Sequence, residues 1–126
     1  MKEAIECYNK TIEYKEKYAE AYNNKGAALY DLGRYEEAIE CYNKAIEYKE
    51  KYAEAYNNKG AALDELGRYE EAIECFDKAI EYKPDFEGAY HNMGLTYRAL
   101  GKEDEARNCF QQAHNIRHKK SSTEYK

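Results

Sequence analysis

Cys7, Cys41, Cys75 and Cys109 stand 34 residues apart, and that spacing belongs to the whole chain rather than to the thiols. Laid over one another, residues 4–37 and 38–71 differ only at Thr11/Ala45, Tyr30/Asp64 and Asp31/Glu65, so 31 of 34 positions are identical. Residues 38–71 and 72–105 share 17 of 34, and a further register opens at Ala106 and stops halfway, near His118. A chain with this period builds one small unit several times, and each copy needs its neighbour to bury its apolar face. The 126 residues are therefore about three and a half units of one domain.

Within a unit the apolar and small residues recur at steps of three and four, as in Ala19, Tyr22, Gly26 and Leu29, then Ala38, Tyr42, Ala45 and Ile46. That is helical spacing, and no segment alternates as a strand does. Gly33, Gly67 and Gly101 fall between the helical stretches, where a left-handed C-cap is wanted. Glu36 and Glu37 follow, at the end of the next helix whose dipole favours acids. Each unit reads as a helix of about 14 residues, a glycine turn and a second helix. The fold class is all-α.

The period and the residues at fixed places in it resemble the tetratricopeptide repeat. Tyr22, Gly26 and Leu29, then Ala38 and Tyr42, follow that family's pattern. So do Tyr56, Gly60, Leu63, Ala72, Phe76 and Pro84, and again Tyr90, Gly94, Tyr97, Ala106 and Phe110. Lys25 and Lys59 depart from it where the family usually has Leu, and Glu50 stands where Pro would close the first unit. The resemblance implies an α-solenoid of antiparallel helix pairs with about seven helices and a right-handed superhelix. The expected organisation is an N-terminal single helix within residues 1–18, units at 19–52, 53–86 and 87–118, and a flexible tail over 119–126. Sterics account for the pattern on their own terms. Gly26, Gly60 and Gly94 let a neighbouring helix approach, and Tyr42, Phe76 and Phe110 fill the space one turn beyond Ala38, Ala72 and Ala106.

Composition excludes several roles. The net charge is −5, from 20 basic and 25 acidic residues, the wrong sign for a chain that neutralises phosphates, so no nucleic-acid partner is expected. The longest uncharged stretch, Gly88 to Tyr97, contains Asn, His and two glycines, so no membrane partner is expected. The first residues, Met1 to Glu6, carry no apolar signal core, and a cytoplasmic location is expected. Copies of one cysteine on successive units sit roughly 10 Å apart, beyond the roughly 7 Å that a disulfide spans. They read as four free thiols, and with no His at ligand spacing no metal or other cofactor is expected. His91, His114 and His118 have no repeated partner, Cys109 and His114 lie on different helical faces, and adjacent pairs such as Glu36/Glu37 do not face each other. The chain is not expected to be an enzyme.

A binding surface remains. In proteins that this chain resembles, the inner wall of the solenoid is lined by the first helix of each unit. Counted from Ala19, Ala53 and Glu87, the sixth positions are Asn24, Asn58 and Asn92. A carboxamide offers donor and acceptor to an extended peptide backbone whatever its side chains. The fifth positions are Asn23, Asn57 and His91; the twelfth are Tyr30, Asp64 and Arg98, and Tyr30/Asp64 is one of the few differences between the near-identical units. These nine are the candidate peptide-binding residues. The resemblance also implies that a carboxylate clamp, which needs Lys or Arg at the second and fifth positions, is missing, because Glu20, Glu54 and Gly88 stand there with Asn23, Asn57 and His91. The expected function is a scaffold that holds a protein or peptide. Two other readings stand beside it: an engineered or consensus-like array without a natural ligand, and head-to-tail self-association through Tyr8, Ile12 and Tyr14 at one end and Phe110 and Ile116 at the other.

Overall fold

The computed structural model describes the backbone of residues 2–124 and the side chains of residues 14–120. Cys7, Tyr8 and Ile12 lie outside the described side chains. Six helices follow in order: α1 Lys2–Asp31, α2 Tyr35–Tyr48, α3 Ala53–Glu65, α4 Tyr69–Tyr82, α5 Glu87–Ala99 and α6 Glu103–Glu124. Each helix packs on the next, α1 also touches α3, and α3 touches α5. Among the described residues the even-numbered helices make no such contact with one another. The odd row is thus the tighter side of a curved stack, and the even row the wider one.

The units end and join as the glycines require. Gly33, Gly67 and Gly101 all have φ of 77°, open to glycine at little cost. At the first, the Arg34 N–H donates to the Leu29 carbonyl and the Gly33 N–H to that of Tyr30, both at 2.9 Å, and the orphan carbonyls of α1 are satisfied. Inside each unit the paired helices meet at the other glycine set. A Cβ on Gly26, Gly60 or Gly94 would lie 2.6 Å from a ring carbon of Tyr42, Phe76 or Phe110 respectively. Tyr42 is 1% exposed and Phe76 fully buried, with Ala38 and Ala72 beside them at 0%. Cys41, Cys75 and Cys109 are buried and unbridged, and burial raises the thiols of Cys75 and Cys109.

Two of the helices are longer than the helices inside a unit. The six helices are close to the expected seven, the N-terminal helix and the first helix of unit one being continuous as α1. Residues 15–18 are helical there, whereas their copy at 49–52 makes a turn in which Lys49 is extended, at φ −141° and ψ 93°. At the other end α6 runs unbroken from Glu103 to Glu124.

Candidate functional site

The sixth-position amides do not stand alone. Asn58 Nδ2 donates to Asn23 Oδ1 at 3.0 Å, and Asn92 Nδ2 donates to Asn57 Oδ1 at 3.1 Å. Each bond joins the sixth position of one unit to the fifth of the unit before, so the odd helices are spliced along their row by partly buried amide pairs. A neutral amide pair of this kind contributes about 1 kcal/mol. Asn24, in the first unit, is exposed. His91 ends the fifth-position series and packs instead on Phe110, ring centroids 5.5 Å apart.

The twelfth positions do three different things. The Tyr30 hydroxyl donates to Glu65 Oε1 at 3.4 Å, and its ring meets Tyr35 edge-on at 5.2 Å. Partial burial and then the charge of Glu65 raise its phenol. The fully buried Thr96 hydroxyl has two acceptors within reach of its one proton, Asp64 Oδ1 at 2.8 Å and the Asn92 carbonyl at 3.1 Å, and the shorter contact is to Asp64. Arg98 lies over the Phe110 ring, 4.8 Å from its centroid. The structure therefore brings Asn23 with Asn58, Asn57 with Asn92, and His91 with Arg98 on one ring. It does not bring all nine candidates into one cluster; they follow the row.

The charges around that row are mixed. Glu54 is bridged by Lys83 at 3.6 Å, and Arg117 Nε donates to Glu87 Oε1 at 2.6 Å. A second surface, not singled out in the sequence, repeats with the units. A cleft of about 410 Å³ holds Tyr22, Lys25, Glu40 and Cys41, and one of about 450 Å³ holds Tyr56, Lys59, Glu74 and Cys75. Its only sequence signal is the lysine at the family's Leu position: Lys25 is exposed and Lys59 half-buried, each where a leucine would have closed the cleft. No helix among the described residues is long and apolar enough to cross a membrane.

A stack of helix pairs in which residues of one type recur along a single row of helices defines a helical-repeat interaction protein. The tetratricopeptide repeat model matches residues 1–51 and 17–85, and the chain belongs to that family. The model for regulator of microtubule dynamics protein 1-3 matches residues 62–125. No curated protein matches. Among solved structures, MamA is similar at 36% identity and TM-score 0.79, over 82% of this chain and 61% of that one. This chain thus spans under two thirds of MamA. The second tetratricopeptide domain of Spaghetti (RPAP3), bound to the HSP90 peptide SRMEEVD, is similar at 27% identity and TM-score 0.80, over 85% of this chain and 98% of that one. The Arabidopsis OM64 tetratricopeptide domain follows at 26% identity and TM-score 0.79, over 81% and 84%.

Proposed function

We propose that the chain is a non-enzymatic scaffold that holds an extended peptide along the inner row of α1, α3 and α5, with units bounded at 19–52, 53–86 and 87–118. The observation that carries this is the splice of the fifth- and sixth-position amides. One N–H of Asn58 and of Asn92 is spent on the neighbouring unit, which fixes each amide in orientation and leaves its Oδ1 and second N–H for a ligand backbone. Preorganised groups lose less entropy on binding than free ones. The Spaghetti domain, similar in fold, is seen with a peptide. Its ligand has an acidic end, whereas this chain offers Glu20, Glu54, Asn23 and Asn57 where a clamp would need cations. The partner is therefore a protein segment without an acidic terminus, and Tyr30, Asp64, Arg98 and His91 give each unit a different neighbour to the amides.

The test is a displayed library of random peptides selected on the full chain, with SRMEEVD as a fixed probe. Selected peptides are expected to lose binding when Asn24, Asn58 and Asn92 are changed together to Ala, with helicity kept, and SRMEEVD is expected not to bind. Peptides that bind the triple variant as well as the original overturn the amide reading. A second reading, favoured by the 31 of 34 identity between adjacent units, is a consensus-like array with no natural ligand; a library that yields no binder supports it.

A further inference from the structure

A face of α1 that is largely exposed in this chain, touched among the described residues only at Tyr18 by the Tyr14 and Tyr48 rings and at Lys25 by the α2 cleft, is covered in every later unit. Along α3 and its caps, Tyr52, Ala55 and Ala62 are buried against α2, Leu66 is half-buried, and Lys59 is half-buried at the cleft it shares with α4. Their copies one period earlier, Tyr18, Ala21, Lys25, Ala28 and Leu32, are all exposed, Tyr18 at 52% and Leu32 at 70%. On α5 the same stripe is Phe86, Ala89, Met93, Thr96 and Leu100, again buried or half-buried. What covers α3 is α2, through Ala38, Ala45 and Tyr48, with Cys41 buried on the same helix. The corresponding residues of the first copy are Ala4, Cys7, Thr11 and Tyr14, identical but for Thr11. They cannot cover α1, because they belong to the same uninterrupted helix.

We propose that a second copy of this chain covers that face, residues 4–14 of each α1 lying along residues 18–28 of the other in an antiparallel, two-fold pair. The register comes from the intact units. Ala45 clusters with Ala55, and Ala38 with Ala62, pairs whose numbers sum to 100. Subtracting 34 from each member leaves a sum of 32. Under that rule position 4 falls opposite 28, 7 opposite 25, 11 opposite 21 and 14 opposite 18. Every member of the stripe maps onto another member, so the face is self-complementary, as a two-fold interface requires. The stripe advances by alternating steps of three and four, the 3.5-residue repeat that keeps a seam between paired helices continuous. The pairing is an exchange of the contact that α2 makes with α3. It leaves the fifth- and sixth-position amides untouched and does not depend on the peptide-binding reading.

Light scattering and sedimentation of the full chain over a wide concentration range test this. The 14.8 kDa chain is expected to give a dimer that dissociates on dilution. Ala21→Arg is expected to weaken it by about tenfold or more, since it would place a charge in a closed seam, without lowering thermal stability of the dilute monomer. Glu16→Pro, which puts proline where Pro84 stands in the third copy, is expected to break α1 and give a folded monomer, residues 4–14 closing on their own stripe. A monomer at every concentration overturns the proposal. A monomer that Ala21→Arg destabilises shows that the stripe is covered within one chain and also overturns it. So does a dimer lost with Ile116→Glu on α6 but kept with Ala21→Arg and Glu16→Pro, which would place the contact head to tail.

Discussion

Residues 12–29 and 46–63 are the same sequence, Ile-Glu-Tyr-Lys-Glu-Lys-Tyr through to Leu, and fold differently. The first copy is uninterrupted helix within α1; the second leaves α2 at Tyr48, turns through Lys49 to Tyr52 and starts α3 at Ala53. Local propensity is equal by construction, so it cannot be the cause. Lys, Glu and Tyr are all tolerable in a helix, and an isolated stretch of them has no reason to stop. What differs is the neighbourhood. The second copy is bound on both sides of the turn: Ala45, Tyr52 and Ala55 share one buried cluster with Ala19, and the Lys49 N–H still donates to the Ala45 carbonyl at 2.9 Å. Burying that set outweighs the helical hydrogen bonds given up. The third copy reaches the same turn with local help, since Pro84 restricts the residue before it; Lys83 has φ −142° and ψ 85°, close to Lys49.

The largest way to break this comparison is at its tyrosines. Tyr52→Ala is expected to cost about 3 kcal/mol, as an aromatic lost from a packed site, whereas Tyr18→Ala in dilute protein should stay within about 0.5 kcal/mol. Urea unfolding of both variants decides it, and equal losses would mean that the two copies share one environment. Next is the close approach within a unit. Gly60→Ala gains helix propensity but drives a Cβ into Phe76, so a net loss of about 1–3 kcal/mol is expected. A stabilised variant would show that the ring has room to move.

Proline sharpens the contrast by acting with opposite sign on one residue in two places. Glu50→Pro should stabilise by about 0.4–1 kcal/mol, because the native turn already fits it and the unfolded chain loses freedom. Glu16→Pro should cost α1 about 3 kcal/mol of local helix, seen as a fall in ellipticity. The smallest effect is alkaline. Burial pushes the Tyr42 phenol up to about 12, with Tyr30 and Asp31 adding to it. A folded pKa above the unfolded value of about 10 means that stability is full below pH 10 and falls as pH rises through that interval. Phe76 occupies the same place in the next unit without a hydroxyl. Tyr42→Phe should therefore flatten the decline, and an unchanged profile would assign it to other groups.

The candidate site was legible only in part. Asn23, Asn57, Asn58 and Asn92 stood out because they recur, but the bonds between them join residues 35 apart, one more than the period. A repeat in the letters gives like positions; it does not say which unlike positions meet when the units stack. His91 and Arg98 converge on Phe110 for the same reason, across a helix pair rather than along a row. The repeated cleft at Lys25 and Lys59 was visible as a departure from the family pattern, though its depth was not.

Sequence by itself determined the unit, its period, its helix pair and its joints. Glycine at 33, 67 and 101 is the residue that reaches φ 77° cheaply, and glycine at 26, 60 and 94 is the one that leaves room for a ring. Those are local steric facts, and they hold wherever the segment sits. Tertiary structure alone decided whether Lys-Glu-Lys-Tyr is helix or turn, and which amides pair. Both outcomes depend on a neighbouring surface that the segment does not itself contain, and the contact energy from that surface exceeds the small differences in local preference.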